Sequence, residues 1–90
     1  MVVPAANLMP ISDGLDYETA AAFPLVFLTA WHMAVGRARI QPGDTVLVHA
    51  GASGVGHAAL QIARLLQARV LTTVGSRDKV APVRALGAEV

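Results

Sequence analysis

The chain has 90 residues, of which 54% are hydrophobic and 14% are charged, and its formal net charge is +1. The high apolar fraction and low net charge exclude an intrinsically disordered chain, and the length allows at most one small domain. The lack of cysteine excludes disulfides, a thiol nucleophile and thiolate metal sites. The small net charge argues against nucleic acid or an anionic membrane as a partner.

The mean hydropathy of the chain is +0.54. We expect neither a targeting segment nor a membrane segment that would account for this value. The longest nearly unbroken apolar stretch, residues 20–31, contains Pro24 and Thr29 and is shorter than the roughly 20 residues that a spanning helix needs. The N-terminus has no cationic segment before an apolar core, unlike a secretory signal. We therefore expect a cytoplasmic protein.

The first third of the chain predicts irregular structure followed by two helices. Prolines and a glycine punctuate residues 1–15 and favour extended or turn structure. Asp16 is a suitable N-cap for a short helix over Tyr17 to Ala22. Pro24 then suits the first turn of a second helix, Leu25 to Val35, with Gly36 as its C′ residue. This second helix is apolar on almost every side, which predicts burial by several neighbours.

A turn and a strand come next. Residues 41–44, Gln-Pro-Gly-Asp, have the proline and glycine positions of a type II turn. Residues 45–50 are β-branched and almost continuously apolar, which predicts a strand covered on both faces, as in a parallel sheet. A glycine cluster at 51–56 follows, and helical spacing then runs from Val55 to Leu66.

The last quarter of the chain completes an alternating pattern. Residues 70–74 predict a second strand, and Ser76 can cap a third helix that runs toward Leu86, with Gly87 as its C′ residue. Glu89-Val90 resembles the start of a third strand. The order predicts an α/β fold: a βαβ unit, hence part of a doubly wound parallel sheet of the Rossmann type, with an N-terminal helical lead-in.

The glycine cluster is the segment of the sequence that indicates a ligand-binding site. Gly51 allows a sharp turn out of the strand, Ser53 and Gly54 let a ligand approach the backbone, and Gly56 lets the helix pack close to the sheet. The first amide groups of the helix, helped by its dipole, then favour a pyrophosphate. The pattern is G-x-S-G-x-G, with Ser53 where the usual motif has its middle glycine. The alternative is that the glycines form only a tight turn.

The residues after the second strand bear on the choice of cofactor. An NAD site usually has an acidic residue about 20 residues after the glycine motif, whereas Gly75 and Ser76 stand there. Ser76, Arg77 and Lys79 can supply a hydroxyl and positive charge for a 2′-phosphate, which favours NADP(H) over NAD(H). Asp78 opposes this reading unless it only favours the start of the helix. The alternative for Arg77 and Lys79 is an ordinary solvated helix start.

Taken together, these segments resemble the medium-chain dehydrogenases/reductases, the zinc-type alcohol dehydrogenase superfamily. The resemblance is greatest to the zinc-free branch of zeta-crystallin-like NADPH:quinone oxidoreductases. It implies hydride transfer between a nicotinamide and a quinone, enone, carbonyl or alcohol. The matching segments are 20–25, 28–31, 41–49, 51–56, 61–63, 75–76, Lys79 and 86–88.

The resemblance also implies roles for individual residues. Thr29 would lie near the nicotinamide, and Ser76 and Lys79 would hold the adenosine phosphate. No zinc ligand and no catalytic residue is expected within this chain. The turn that would hold the pyrophosphate comprises Gly51, Ala52, Ser53, Gly54, Val55 and Gly56, and the adenosine end also includes Gly75 and Arg77.

The resemblance divides the chain into two parts. Residues 1–40 would be the end of a GroES-like catalytic domain with linking helices, and residues 41–90 the first part of a dinucleotide-binding domain. We therefore expect a truncated piece that self-associates through exposed sheet edges. The alternatives are an inactive remnant, a docking fragment, or a piece of a polyketide synthase enoyl reductase.

Two residues depart from the family pattern. Gln67 stands where a helix-ending glycine is usual, so we expect a left-handed residue with a side chain. Pro82 should either kink the third helix or mark its first turn.

Other residues with possible chemistry receive structural interpretations. His32, His49 and His57 lack ligand spacing and are expected to be structural. Trp31, Phe27 and Met33 are expected to pack in the core rather than line a substrate cleft. Ser53 lacks the G-x-S-x-G pattern of a nucleophile.

Overall fold

The computed structural model describes residues 1–90 as four α-helices, one π-helix, two short 3₁₀ helices and a two-stranded parallel sheet. This confirms the predicted fold class, a partial Rossmann-type α/β unit with a helical lead-in. The elements in chain order are α1 (Tyr17–Ala22), α2 (Pro24–Trp31), β1 (Thr45–Val48), α3 (Gly54–Leu65), β2 (Arg69–Thr72) and α4 (Val80–Ala85).

The helical lead-in begins as its sequence predicts. The Asp16 carboxylate accepts a hydrogen bond from the Thr19 amide at 2.7 Å and caps α1. Pro24 is the first residue of α2, where its missing amide hydrogen breaks no helical hydrogen bond. The stacked rings of Phe23 and Phe27, 4.3 Å apart, join the two helices.

The predicted end of the second helix is wrong. The chain continues beyond α2 as a π-helix over His32–Arg37, so Gly36 lies inside a helix instead of ending it. The amide of Ala38 donates to the carbonyl of Met33 at 2.8 Å, the five-residue spacing of a π-helix. The left-handed residue that follows is Arg39, with φ of 51°.

The run Tyr17–Arg37 therefore forms 21 residues of helix, long and apolar enough to cross a membrane by length and composition alone. The mostly buried core helix of a soluble protein meets the same criteria, whereas only 11% of the apolar window in this run is buried. The expectation of no membrane segment stays a prediction.

The prediction that several neighbours bury the second helix is wrong. Only its small residues Ala30 and Ala34 are buried, whereas Leu25 is 77% exposed and Leu28 is 68% exposed. The reason is that α3 is the main neighbour, and it covers one side only. The buried alanines pack there against Ala58 and Ile62 of α3.

The sheet has the predicted parallel order. β1 pairs with β2 in the register Thr45↔Arg69 to Val48↔Thr72, and α3 forms the crossover between them. Glu89 extends the sheet on the far side of β2, donating from its amide to Val70 and accepting from Thr72. The predicted start of a third strand is thus confirmed. The prediction that both faces of β1 are covered is wrong, because Leu47 is 56% exposed.

Helix α3 lies between two apolar clusters and positions the turn before it. One side packs on α2, and the other packs on the sheet and α4. The sheet-side cluster comprises Leu60, Ala63, Ala68, Val70, Val83 and Ala88.

The predicted turns and helix ends are largely confirmed. Gly43 has φ of 88°, as a type II turn requires, and Gly87 has φ of 85° at the end of α4. Gln67 is left-handed, with φ of 63°. The predicted cap by Ser76 is wrong, because its side chain makes no capping hydrogen bond and a 3₁₀ turn over Arg77–Lys79 separates it from α4. Pro82 therefore lies in the first turn of that helix and causes no kink.

Candidate functional site

The glycine cluster forms a tight turn at the carboxyl edge of the sheet, between β1 and α3. The amide of Gly51 donates to the carbonyl of Thr73, just beyond β2, at 3.0 Å. The amide of Ser53 then donates back to the carbonyl of Ala50 at 2.9 Å. In parallel sheets this edge is where ligands bind.

Two of the glycines are required by close packing. A Cβ on Gly51 would overlap the Thr72 hydroxyl, and one on Gly56 would overlap the carbonyl oxygen of Ala50. Gly54 is less constrained, since its added Cβ would lie 3.1 Å from Cγ1 of Val26 on α2. The glycines thus fix how closely the turn approaches β2 and α2.

Ser53 caps α3 and organises the amides of its first turn. Its hydroxyl oxygen accepts from the Gly56 amide at 3.1 Å, and its carbonyl accepts from His57 at 2.7 Å. The amides of Ala52, Gly54 and Val55 have no protein acceptor. These three donors lie at the positive end of a 12-residue helix, which carries about +0.5 of an elementary charge.

An arrangement of unpaired amides at such a helix end can hold an anion. The residues present therefore fit the pyrophosphate of a dinucleotide. Which of them contact a ligand stays a prediction.

Residues 75–79, which follow β2 at the same edge of the sheet, are exposed. Gly75 has no atom within 4 Å of an added Cβ, so the approach to its backbone is open. Ser76 is extended, and Arg77 and Lys79 belong to the 3₁₀ turn that follows. The nearby Ser76 hydroxyl is the main cause that lowers the pKa of Asp78, whose carboxylate lies in the same 3₁₀ turn as Arg77 and Lys79.

Thr29 is exposed on α2, one turn beyond Val26, which contacts Gly54. Its hydroxyl donates to the carbonyl of Leu25 at 2.7 Å, so its oxygen is left as an acceptor. The structure thus places Thr29 on the helix that packs beside the turn.

Sequence reasoning missed the contribution of β2 to the turn. Thr72 donates to the carbonyl of Val48 at 2.7 Å, and the Thr73 hydroxyl oxygen accepts from the Ala50 amide at 3.1 Å. The available signal was a pair of threonines at the carboxyl end of a strand next to the glycine turn.

The three histidines are exposed. His49 contacts the Thr73 hydroxyl through Nδ1 at 3.2 Å, and the Nδ1 of His32 lies beside Gly36. No group of three or more histidine, cysteine, aspartate or glutamate side chains could hold a metal ion.

The aromatic residues of α2 are less buried than expected. Phe27 and Trp31 line an apolar groove of about 640 Å³ between α2 and α3, and Trp31 is 50% exposed. Met33 is 52% exposed and does not line the groove. The prediction that Trp31 and Met33 pack in the core is therefore wrong within this chain.

No protein-family model matches the chain. Solved structures do match it closely. An NAD-dependent alcohol dehydrogenase is 54% identical with a TM-score of 0.89, over 97% of this chain and 25% of that one. The quinone oxidoreductase of Thermus thermophilus, solved also with NADPH, is 48% identical with a TM-score of 0.87, over 97% of this chain and 29% of that one.

The chain is similar in sequence and fold to a segment of medium-chain dehydrogenases/reductases, to which these solved structures belong. The CurK enoyl reductase is a third solved structure that matches the chain. It is 40% identical with a TM-score of 0.85, over 90% of this chain and 24% of that one. These structural relatives are oxidoreductases of the alcohol dehydrogenase, quinone oxidoreductase and enoyl reductase types, as the sequence resemblance implied.

Curated relatives of the segment are polyketide synthases. The highly reducing polyketide synthase phiA of a fungal species is 46% identical over 76 residues, which is 84% of this chain and 3% of that protein. The synthase poxF of Penicillium oxalicum is 47% identical over 77 residues, 86% of this chain and 3% of that protein. The segment spans about a quarter of the solved chains and a far smaller share of the synthases.

Proposed function

We propose that this chain is the dinucleotide-binding portion of an NADP(H)-dependent oxidoreductase, which transfers hydride to or from a quinone, enone, carbonyl or alcohol. The observation that carries the proposal is the set of unpaired amides at Ala52, Gly54 and Val55, at the start of α3. The oxidoreductase relatives support the reaction class.

The bound nicotinamide would supply the hydride chemistry, and the chain would bind and orient the cofactor. The turn over 51–56 would receive the pyrophosphate on its free amides, and the Ser53 hydroxyl keeps its hydrogen available to donate. Thr29, with a free acceptor oxygen on the neighbouring helix, would face the nicotinamide end. No zinc ligand is assigned to this chain.

The preference for NADP(H) rests on the residues after β2. Arg77 and Lys79 offer two cations and Ser76 a hydroxyl, whereas no acidic residue ends β2. Asp78 works against the preference, because its carboxylate lies in the same 3₁₀ turn as the two cations and would repel a 2′-phosphate. The solved relatives include an NAD-dependent enzyme and an NADPH complex, so the relatives support the cofactor class but not this choice.

A fluorescence titration of the chain with NADPH and with NADH tests the proposal. We expect tighter binding of NADPH, and we expect Arg77→Ala with Lys79→Ala to weaken NADPH binding while leaving NADH binding unchanged. Arg84→Ala, which removes a cation from the last turn of α4, is the matched control. Equal affinity for both cofactors would refute the preference, and no binding of either would refute the proposal.

A polyketide synthase enoyl reductase is the second candidate, favoured by the curated relatives and the CurK match. In that case the hydride acceptor is an enoyl thioester. NADPH oxidation by a longer protein containing this sequence, compared between crotonyl-N-acetylcysteamine and a benzoquinone, separates the two. Turnover of the thioester alone favours the second candidate.

A non-catalytic remnant or docking fragment would bind neither cofactor. Circular dichroism would then show no cooperative melt for a remnant. The division at residues 40 and 41 and the cytoplasmic location remain predictions.

A further inference from the structure

The turn after β1 is held by Thr73, a residue 17 positions beyond its last glycine. The Ala50 amide donates to the Thr73 hydroxyl oxygen at 3.1 Å, and the Gly51 amide donates to the Thr73 carbonyl at 3.0 Å. One residue therefore takes up the first two amide donors of the turn, and the donors that remain unpaired lie further along, at the start of α3.

This anchorage coincides with backbone strain. Ala50 has φ of 54°, a left-handed conformation that residues with a Cβ adopt at a cost. The Ala50 carbonyl in turn accepts from Ser53 at 2.9 Å and lies against Gly56. A change in the Ala50 conformation would therefore move both the N-cap and the first turn of α3.

The hydroxyl of Thr73 has a second contact, with Nδ1 of His49 at 3.2 Å. The Thr73 oxygen already accepts from Ala50, and the tautomer of His49 decides whether the hydroxyl donates to Nδ1 or accepts from it. Thr73 is also exposed and immediately precedes Val74-Gly75-Ser76. It thus connects the turn to the segment proposed to receive the adenosine phosphate.

We propose that Thr73 is a positioning residue for dinucleotide binding, which acts through its hydroxyl by holding Ala50 in the left-handed conformation that presents the free amides of α3. The inference rests on the proposed function. Thr73 is not assigned a contact with the cofactor, and its effect passes through Ala50.

Thr73→Val tests the inference, because valine keeps the shape of threonine and lacks only the hydroxyl. We expect NADPH to bind the variant roughly three- to tenfold more weakly, the equivalent of one lost hydrogen bond. Thr73→Ser keeps the hydroxyl and should restore wild-type affinity. Thr45→Val, at the exposed amino end of β1, is the matched control and should bind NADPH like the wild type.

Amide hydrogen exchange supplies a readout that needs no cofactor. The Ala50 amide should exchange faster in Thr73→Val and at the wild-type rate in Thr73→Ser, with little change in the thermal midpoint. If the valine variant does not fold, Thr73→Ala takes its place in the comparison with Thr73→Ser.

The outcomes separate the two claims. A wild-type chain that does not bind NADPH overturns the proposed function and, with it, this inference. A wild-type chain that binds NADPH while Thr73→Val binds it equally well overturns the inference alone. Weak binding by Thr73→Ser as well would also overturn it, since the hydroxyl would then not be the cause.

Discussion

At the scale of single residues, the end of α3 shows a conformation that its sequence does not favour. Gln67 has φ of 63°, and its amide donates to the carbonyl of Arg64 at 2.9 Å while Ala68 donates to Ala63 at 3.0 Å. These two bonds form a Schellman motif, in which glycine is the preferred left-handed residue. The hydrogen bonds outweigh the strain on the glutamine.

Gln67→Gly should therefore stabilise the chain by about 0.5–1 kcal/mol, because glycine adopts positive φ without the Cβ penalty. Urea unfolding followed by circular dichroism measures this change. Gln61→Gly, in the middle of α3, is the control and should destabilise the chain by about 1 kcal/mol. A lower stability of Gln67→Gly would show that the side chain of Gln67 contributes more than its strain costs.

A second residue-scale feature joins β2 to the segment after α4. Arg69 donates from Nε and Nη2 to the two carboxylate oxygens of Glu89, at 2.7 and 2.8 Å. The hydrogen bond from Arg69 lowers the pKa of Glu89 below its ordinary value of 4.5. Both side chains are more than half exposed, so water screens the pair.

Because the pKa of Glu89 is lower in the folded chain, the stabilisation is present above about pH 4.5 and is lost as the pH falls below it. Glu89→Gln should therefore lower the urea midpoint at neutral pH and lower it less at about pH 3. Asp13→Asn, which removes an exposed carboxylate outside the helices, is the control. An equal effect of Glu89→Gln at both pH values would contradict a contribution from the charge.

At the scale of elements, the glycine turn sets how closely α3 approaches β1. Gly56→Ala would drive a Cβ into the carbonyl oxygen of Ala50, a backbone atom that cannot rotate away. We expect a loss of about 1–3 kcal/mol in unfolding free energy, as for overpacking of a core. Gly36→Ala is the control, since its Cβ would lie 3.4 Å from the nearest His32 atom in a helical backbone. Equal stability of Gly56→Ala and the wild type would mean that the close approach is not needed.

Much of this element order could be predicted because local signals agree with it. Asp16 caps α1, Pro24 begins α2, and Gly43 and Gly87 adopt positive φ, each as its residue type favours. The π-helix over His32–Arg37 could not be predicted, because Gly36 is a normal stop signal and no residue of that stretch specifies a five-residue hydrogen-bond spacing.

The candidate site could be predicted only in part. The glycines and the Ser53 cap follow from the strand, turn and helix pattern around them. The anchorage by Thr73 depends on the parallel register of β1 and β2, which brings together residues 23 positions apart. No local sequence pattern encodes that contact.

At the scale of the whole molecule, much of the apolar content lies on the surface. Leu25, Leu28 and Leu65 are more than two-thirds exposed, and Leu47 on the open edge strand β1 is 56% exposed. Exposed apolar surface and an unpaired strand edge both favour association. The apolar side chains of this chain are thus only partly buried within its 90 residues.

We expect the chain to self-associate through the edge of β1, as the sequence suggested. Analytical ultracentrifugation should show oligomers that Leu47→Lys reduces, since a charge on an edge strand opposes pairing. Leu65→Lys, an exposed leucine of α3 away from that edge, is the matched control. If Leu65→Lys dissociates the oligomers and Leu47→Lys does not, the groove between α2 and α3 is the contact instead.

The central claim is that the free amides at the start of α3 receive a dinucleotide pyrophosphate. Amide chemical shifts of the isotopically labelled chain, followed by NMR during titration with NADPH, test it most directly. The account predicts the largest changes at Ala52, Gly54 and Val55, with smaller ones at Gly75 and Ser76. Saturable shifts confined to the groove around Leu28 and Leu65, or none at all, would contradict it.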